Sequence, residues 1–292
     1  MGEEERQVWG LGEGDEIAPG RTALRLLGGG RRYEAYLAFD DHLHAIVVIK
    51  VLRPGRAGDD ASRARLVREA DVLGSLDHPV IVRIFDAVSD GPRPHLVLEH
   101  LEGPRLSTLL RRYGTLATEQ LVPLAVQLCS AVHYMHAERY LHLDIKPANI
   151  IMSGPPRLID LSVARTVDGA TQLTRSIGTD AYKPPEQCDP ERLGPVGPAA
   201  DVWSLGVTLQ HAATGELPFS PADREAAVLE ERYPQLVEAP APLDGVDPRL
   251  TSSIEACLEL EPEERPTPER LAEAFEEILG ELPRPRAKRR TR

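Results

Sequence analysis

Between Arg21 and Leu101 the apolar residues come in short runs: Ala23–Leu27, Tyr33–Phe39, Ala45–Leu52, Val80–Asp86 and His95–Glu99. Runs of this length with β-branched and aromatic residues predict strands, and one helical stretch, Ser62 to Leu76, interrupts them. After Glu102-Gly103-Pro104 the period lengthens. Leu121, Leu124, Leu128, Val132 and Met135 recur at three- to four-residue spacing behind Thr118, a candidate N-cap. Further helices are predicted over Ala200 to Thr214, Pro248 to Leu258 and Thr267 to Leu279, the last with Thr267-Pro268 as cap and first turn and Gly280 as its stop. Strands first and helices afterwards predict an α+β fold of two lobes, a β-rich one with a single helix and a larger, mostly α-helical one.

The flanks lack this patterning. Residues 1–20 are rich in Gly and Glu and read as a tail, and a second tail is expected over 282–292, where Arg284 to Arg292 carry six basic residues. The lobes are then expected at 21–99 and 100–281.

Length and composition narrow the function. A chain of 292 residues exceeds the size at which one core usually keeps growing, and 41% apolar with 27% charged residues is ordinary for a folded protein. The formal net charge of -12 argues against a nucleic-acid-binding surface, which needs a basic face. Cys129, Cys188 and Cys257 form no close pair, so they are expected to be packing residues in a reducing cytoplasm. No run approaches the length of a membrane span. Thirty Arg accompany only four Lys, which makes each Lys conspicuous.

Leu27-Gly28-Gly29-Gly30 falls between two predicted strands. It reads as a plain turn or as a hairpin whose backbone N–H groups approach phosphates. Strand alternation places Val48 and Lys50 on one face, and on the following helix Leu66, Glu69, Ala70 and Leu73 share another. A Lys and a Glu aimed into apolar seams satisfy each other as a pair; the alternative is a snorkelling Lys and a solvated Glu.

Downstream lie Tyr140-Leu141-His142-Leu143-Asp144-Ile145-Lys146-Pro147-Ala148-Asn149-Ile150-Ile151 and then Arg157-Leu158-Ile159-Asp160-Leu161-Ser162. With the glycine turn, the strand Lys and the helix Glu, this H-x-D-x-K-P-x-N pattern and its following Asp resemble the protein kinases, and most nearly the bacterial serine/threonine kinases. Gly178-Thr179-Asp180-Ala181-Tyr182-Lys183-Pro184-Pro185-Glu186 resembles the end of their activation segment, here 160–186, and Asp201-Val202-Trp203-Ser204-Leu205-Gly206 their central helix.

The resemblance implies ATP and Mg²⁺ as cofactors, with Mn²⁺ as an alternative metal, and protein substrates bearing Ser or Thr. It implies that Gly28 and Gly30 cover the ATP phosphates, that Lys50 contacts them, and that Glu69 holds Lys50. Asp144 would orient the acceptor hydroxyl, Lys146 would neutralise the transferring phosphate, and Asn149 and Asp160 would bind the metal. Adenine would lie among Leu27, Ala35, Val48 and Ile151, paired by backbone of Glu99 and Leu101, with Leu98 as gatekeeper. Glu186 would pair with Arg265, Asp201 would tie down the catalytic loop, and Thr171 and Thr174 would be phosphorylated by the chain itself. Association of two chains is left open.

Four departures accompany the resemblance. Tyr33 stands at the third glycine position, where a side chain resists positive φ at a cost of about 1–2 kcal/mol, which predicts a stiffer loop. Leu143 stands where regulated kinases carry an Arg that grips activation-loop phosphate. Leu161-Ser162 replaces Phe-Gly, and Lys183-Pro184 alter the docking loop. A weakly active nucleotide-binding scaffold is the alternative reading; a small-molecule phosphotransferase fits less well, because it lacks the glycine turn and the Pro-Pro-Glu segment.

Overall fold

The computed structural model describes residues 7–223 and 225–283, and the basic stretch Arg284 to Arg292 lies outside them. The chain divides into two compact units, one running to Pro104 and including Ile151–Arg165, the other made of Arg105–Ile150 and the chain from Thr166 onward. The return of 151–165 to the first unit is a difference from the continuous division expected of the sequence. Its basis is pairing: Leu158 N donates to Val80 O at 2.6 Å and Val82 N to Leu158 O at 3.0 Å.

The first unit is a six-stranded antiparallel sheet in the order β1-β2-β3-β4-β6-β5, with β1 Glu16–Ala18, β2 Arg21–Gly29, β3 Tyr33–Asp40, β4 Ala45–Leu52, β5 Ile84–Val88 and β6 His95–Glu99. Two helices lie between β4 and β5: α1 Pro54–Ala57 and α2 Asp60–Gly74. Asp59 caps α2, its Oδ2 accepting from Ser62 N at 3.1 Å. One sheet face carries Tyr36, Ala38, Val47, Ile49 and Val51, all buried with Ile17, Ala23 and Val97.

Two expectations change here. Residues 1–20 are not simply a tail: Trp9 and Leu11 pack against that buried face, Ile17 is part of it and 16–18 form β1. Isolated apolar residues spaced by Gly and Glu show no period, so their burial left no pattern to read. The strand expected at Val80–Asp86 begins at Ile84 instead. Val80, Ile81 and Val82 are buried in a non-strand segment that pairs with Leu158.

The second unit is mostly helical: α3 Leu106–Tyr113, α4 Thr118–Ala137, α5 Val167–Thr171, α6 Pro185–Cys188, α7 Pro190–Leu193, α8 Ala199–Thr214, α9 Leu229–Arg232, α10 Pro248–Ala256 and α11 Pro268–Glu281. Helix α8 is buried almost all round, from Ala200 to Gln210 and at Ala212, and forms the centre. Gly206 permits close approach, since a Cβ there would sit 2.5 Å from Cys257 Cβ. Helix α11 packs Leu271, Phe275 and Ile278, one stripe at i, i+4, i+7, towards α4. Thr267 caps α11 as expected, its Oγ1 accepting from Arg270 N, but the helix runs past Gly280 to Glu281. Thr118 is the first residue of α4 and not its cap, a position held by Ala117 with no side-chain bond. All three cysteines are free and buried, and among the described residues no helix is long and apolar enough to cross a membrane.

Candidate functional site

In the first unit, β4 and α2 bring Lys50 and Glu69 together. Lys50 Nζ donates to Glu69 Oε1 at 2.7 Å, to Glu69 Oε2 at 3.0 Å and to Asp160 Oδ1 at 2.8 Å. Burial by itself would lower the ammonium's pKa, but Asp160 and Glu69 outweigh it and raise it above its ordinary value, which fixes the positive charge. Burial also raises the Glu69 carboxyl, with Lys50 opposing. Of the two carboxylates that meet the ammonium, Glu69 is buried and the Asp160 side chain is 40% exposed.

Register groups the other first-unit residues. Ala35 pairs with Lys50 and Gly28 with Ala35, while Val48 pairs with both Leu37 and Leu98. Ala35, Val48, Lys50 and Leu98 therefore share one half-open face, on which Leu37 belongs although the sequence reading did not single it out. Leu27 is exposed at the end of β2. Glu99 N donates to Arg83 O at 2.9 Å, and Leu101 N–H has no hydrogen-bond partner among the described residues. Ile151 is half-buried in a short strand, Ile150–Met152, fastened by Met152 N to Pro104 O at 2.8 Å. That approach requires Gly103 (φ +129), where a Cβ would lie 2.4 Å from Met152 O. Arg157, unnoticed in the sequence, grips Pro79 O and Glu99 Oε2.

Tyr33 corrects an expectation. It opens β3 in extended backbone, so the cost of a positive φ does not arise. Its ring lies over Lys50, 4.6 Å from Nζ to centroid, and burial, then Glu69, push its hydroxyl up to about 12. Among the described residues the left-handed non-glycine residues are instead His44, Arg139, Leu143 (φ 61) and Asp160 (φ 66), two of them in the motif segments, where strain of about 1–2 kcal/mol must be held by the surroundings.

In the second unit, Lys146 Nζ donates to Asp144 Oδ2 at 2.7 Å and Thr179 Oγ1 at 2.5 Å, and Asn149 Nδ2 donates to Asp144 O at 3.0 Å and Oδ2 at 3.2 Å. Of the two carboxylate oxygens of Asp144, both donors choose Oδ2. Asp144 Oδ1 is buried and has no hydrogen-bond partner among the described residues. Gly178 (φ +83) keeps the space beside it: a Cβ there would lie 2.5 Å from Leu143 O and 3.6 Å from that oxygen.

The loop is held from beneath by α8. Asp201 accepts from His142 N at 2.9 Å and Leu143 N at 2.7 Å, and His136 Nε2 lies 3.1 Å from its Oδ2. Burial would raise this carboxyl, but these partners hold it below the usual carboxylate range. Leu143 is buried with Leu141, Ala170, Val196 and Ala200, and Val167, Leu173 and Ile177 pack against them. Glu186 and Arg265 form a bidentate pair at 2.7 and 3.0 Å. Lys183 is buried and satisfied internally by Ser176 Oγ at 2.8 Å and Asp180 Oδ1 at 2.7 Å. Thr171 and Thr174 are exposed, with Thr171 Oγ1 donating to Asp168 O at 2.9 Å.

Residues 21–275 match the protein kinase domain. Serine/threonine-protein kinase PknB of Mycobacterium leprae is 33% identical over 253 residues, covering 82% of this chain and 40% of the relative. PkaA of Streptomyces coelicolor, a serine/threonine-protein kinase, is 35% identical over 233 residues (77% of this chain, 42% of the relative). The probable serine/threonine-protein kinase PkwA of Thermomonospora curvata is 34% identical over 259 residues (88% and 34%). The chain thus spans less than half the length of these curated relatives.

Proposed function

The chain belongs to the protein kinase domain family, and on that premise we propose that it transfers the γ-phosphate of ATP to Ser or Thr hydroxyls of proteins, itself included. The observation that carries this reading is the split environment of Asp144. Two donors hold Oδ2, so the carboxylate is fixed in orientation, and Oδ1 is left buried with an unused lone pair. A buried acceptor without a donor is costly, and an incoming hydroxyl relieves that cost while being aligned for attack.

Each remaining residue supplies placement or charge, the two things phosphoryl transfer asks of a protein. Lys50, its charge fixed by two carboxylates, binds phosphate oxygens; Glu69 keeps it in place. Lys146 orients Asp144 and carries positive charge beside the acceptor position. The half-open face of Ala35, Val48 and Leu98 receives adenine, and the unpaired Leu101 N–H pairs with its edge. Asp160, partly exposed, and Asn149, whose amide nitrogen is committed to Asp144, are each oxygen donors of the kind a hard cation takes, and we assign each of them to metal binding, with Mg²⁺ as the ion that accompanies ATP and Mn²⁺ as the alternative. Bound there, the cation neutralises phosphate charge. Free buried cysteines accord with a reducing cytoplasm.

Mass spectrometry after incubation with Mg-ATP and a basic protein tests the proposal. Phosphoserine or phosphothreonine should form, and Asp144→Asn should slow it about 10²–10⁴-fold, the usual worth of a general base. Equal phosphorylation by the variant, or none by either chain, overturns the reading.

A further inference from the structure

The β2–β3 turn is tied down by a residue that lies outside it. Arg53, just after β4, donates from its backbone N–H to Arg32 O at 2.8 Å and from Nε to Gly30 O at 2.7 Å, so it holds both sides of the glycine turn. Its Nη1 reaches Glu34 Oε1 at 3.0 Å and Gln7 O at 3.2 Å. Glu34 is 1% exposed, and its other oxygen accepts from Tyr36 Oη at 2.5 Å and Trp9 N at 3.3 Å. Trp9 Nε1 then donates to Leu52 O at 2.8 Å, on the residue before Arg53. Gly29 makes room for the guanidinium, because a Cβ there would lie 3.2 Å from Arg53 Nη2 and 2.7 Å from Tyr33 O.

We infer that Arg53, through Glu34 and Trp9, is a positioning residue that fixes the pose of the glycine turn, and that the segment from Gln7 onward is thereby part of the phosphate-binding apparatus. This rests on the nucleotide reading above. Gln7 and Trp9 precede the family match, which starts at residue 21, while Arg53 and Glu34 lie within it, so the flank contributes one side of the device. A glycine turn has much conformational freedom to lose on gripping phosphates. A planar fork bonding the turn, a buried carboxylate and the flank together removes part of that freedom beforehand, which raises affinity without touching the ligand.

Calorimetric titration of the intact chain with adenosine, and with the β,γ-imido analogue of ATP plus Mg²⁺, separates the possibilities. Arg53→Lys keeps a cation for Glu34 but cannot span Gly30 and Glu34 as a fork, and Trp9→Ala removes the flank's anchor. Both should weaken the triphosphate analogue about fivefold to tenfold, the worth of a hydrogen bond, and leave adenosine binding unchanged. Should Trp9→Ala fail to fold, Trp9→Phe removes only the bond to Leu52 O and should shift affinity in the same direction. Unchanged triphosphate affinity in the folded variants, or an equal loss for adenosine, overturns the inference. A wild-type chain that binds neither ligand overturns the nucleotide reading and this inference with it.

Discussion

Arg265 and Lys50 are both cations carried into the interior of a unit to meet a glutamate, and their surroundings differ in a way that separates support from chemistry. All five N–H groups of the Arg265 guanidinium are spoken for: by Glu259 O, Ala199 O and Leu260 O, and by both oxygens of Glu186. The side chain has no exposure, and it stacks over Trp203 at 4.9 Å. Nothing remains to be offered to a ligand. Lys50 is 13% exposed and meets two carboxylates, the buried one of Glu69 and that of Asp160, whose side chain is 40% exposed, so its cluster opens to solvent. A saturated, closed pair fixes structure; one open to solvent can exchange a partner for a ligand.

The contrast is open to attack by substitution. Arg265→Ala leaves Glu186 buried and unpaired and is expected to cost about 3–5 kcal/mol, enough to leave a domain of ordinary stability marginal. Denaturant unfolding measures it, and a loss below about 1 kcal/mol would mean the pair is not a brace. Lys50→Met should do the opposite. Transfer should fall about 10²–10³-fold, as when one electrostatic donor is removed from a transition state. Melting should fall by less than for Arg265→Ala, because the partly exposed Asp160 returns to water, although Glu69, 1% exposed, loses its cation. A collapse in melting temperature with intact activity per folded molecule would reverse the assignment. The smallest effect is expected at Thr171→Ala/Thr174→Ala, where activity should change by less than about twofold. Leu143 offers a phosphate on these residues no cation, whereas phosphate acts on a loop by creating charge-assisted bonds. A tenfold loss in that double variant would show that the segment is ordered electrostatically after all.

The two cations also differ in how far the chain announces them. Lys50 and Glu69 stand out because each breaks an apolar pattern, one of period two and one of period 3.6, at a position aimed inward. Arg265 stands 79 residues from Glu186, and no local period links them; only resemblance to a family joined the two. Arg53 and Arg157 gave no signal at all, since thirty arginines make any one of them unremarkable. Glu34 and Asp40 were hidden more deeply. In β3 they alternate as the polar residues of a surface strand should, yet they lie on its buried face, compensated by Arg53 and Arg21 from other strands' ends. The strands and helices followed from spacing, whereas the flank before residue 16 and the run Val80 to Val82 depend on tertiary pairing and have no period to read.

Leu143 carries a last consequence. The segment from Val167 to Ile177 gathers on an apolar nucleus around that side chain, with Gln187 Nε2 clasping Leu143 O at 2.8 Å and Ile177 O at 2.9 Å. A loop kept in shape chiefly by oil, with one exposed ion pair, Arg139–Asp168, at its start, gives phosphatases and ionic strength little handle, because screening acts on charges. Its natural adversary is cold, which weakens the withdrawal of greasy surface from water.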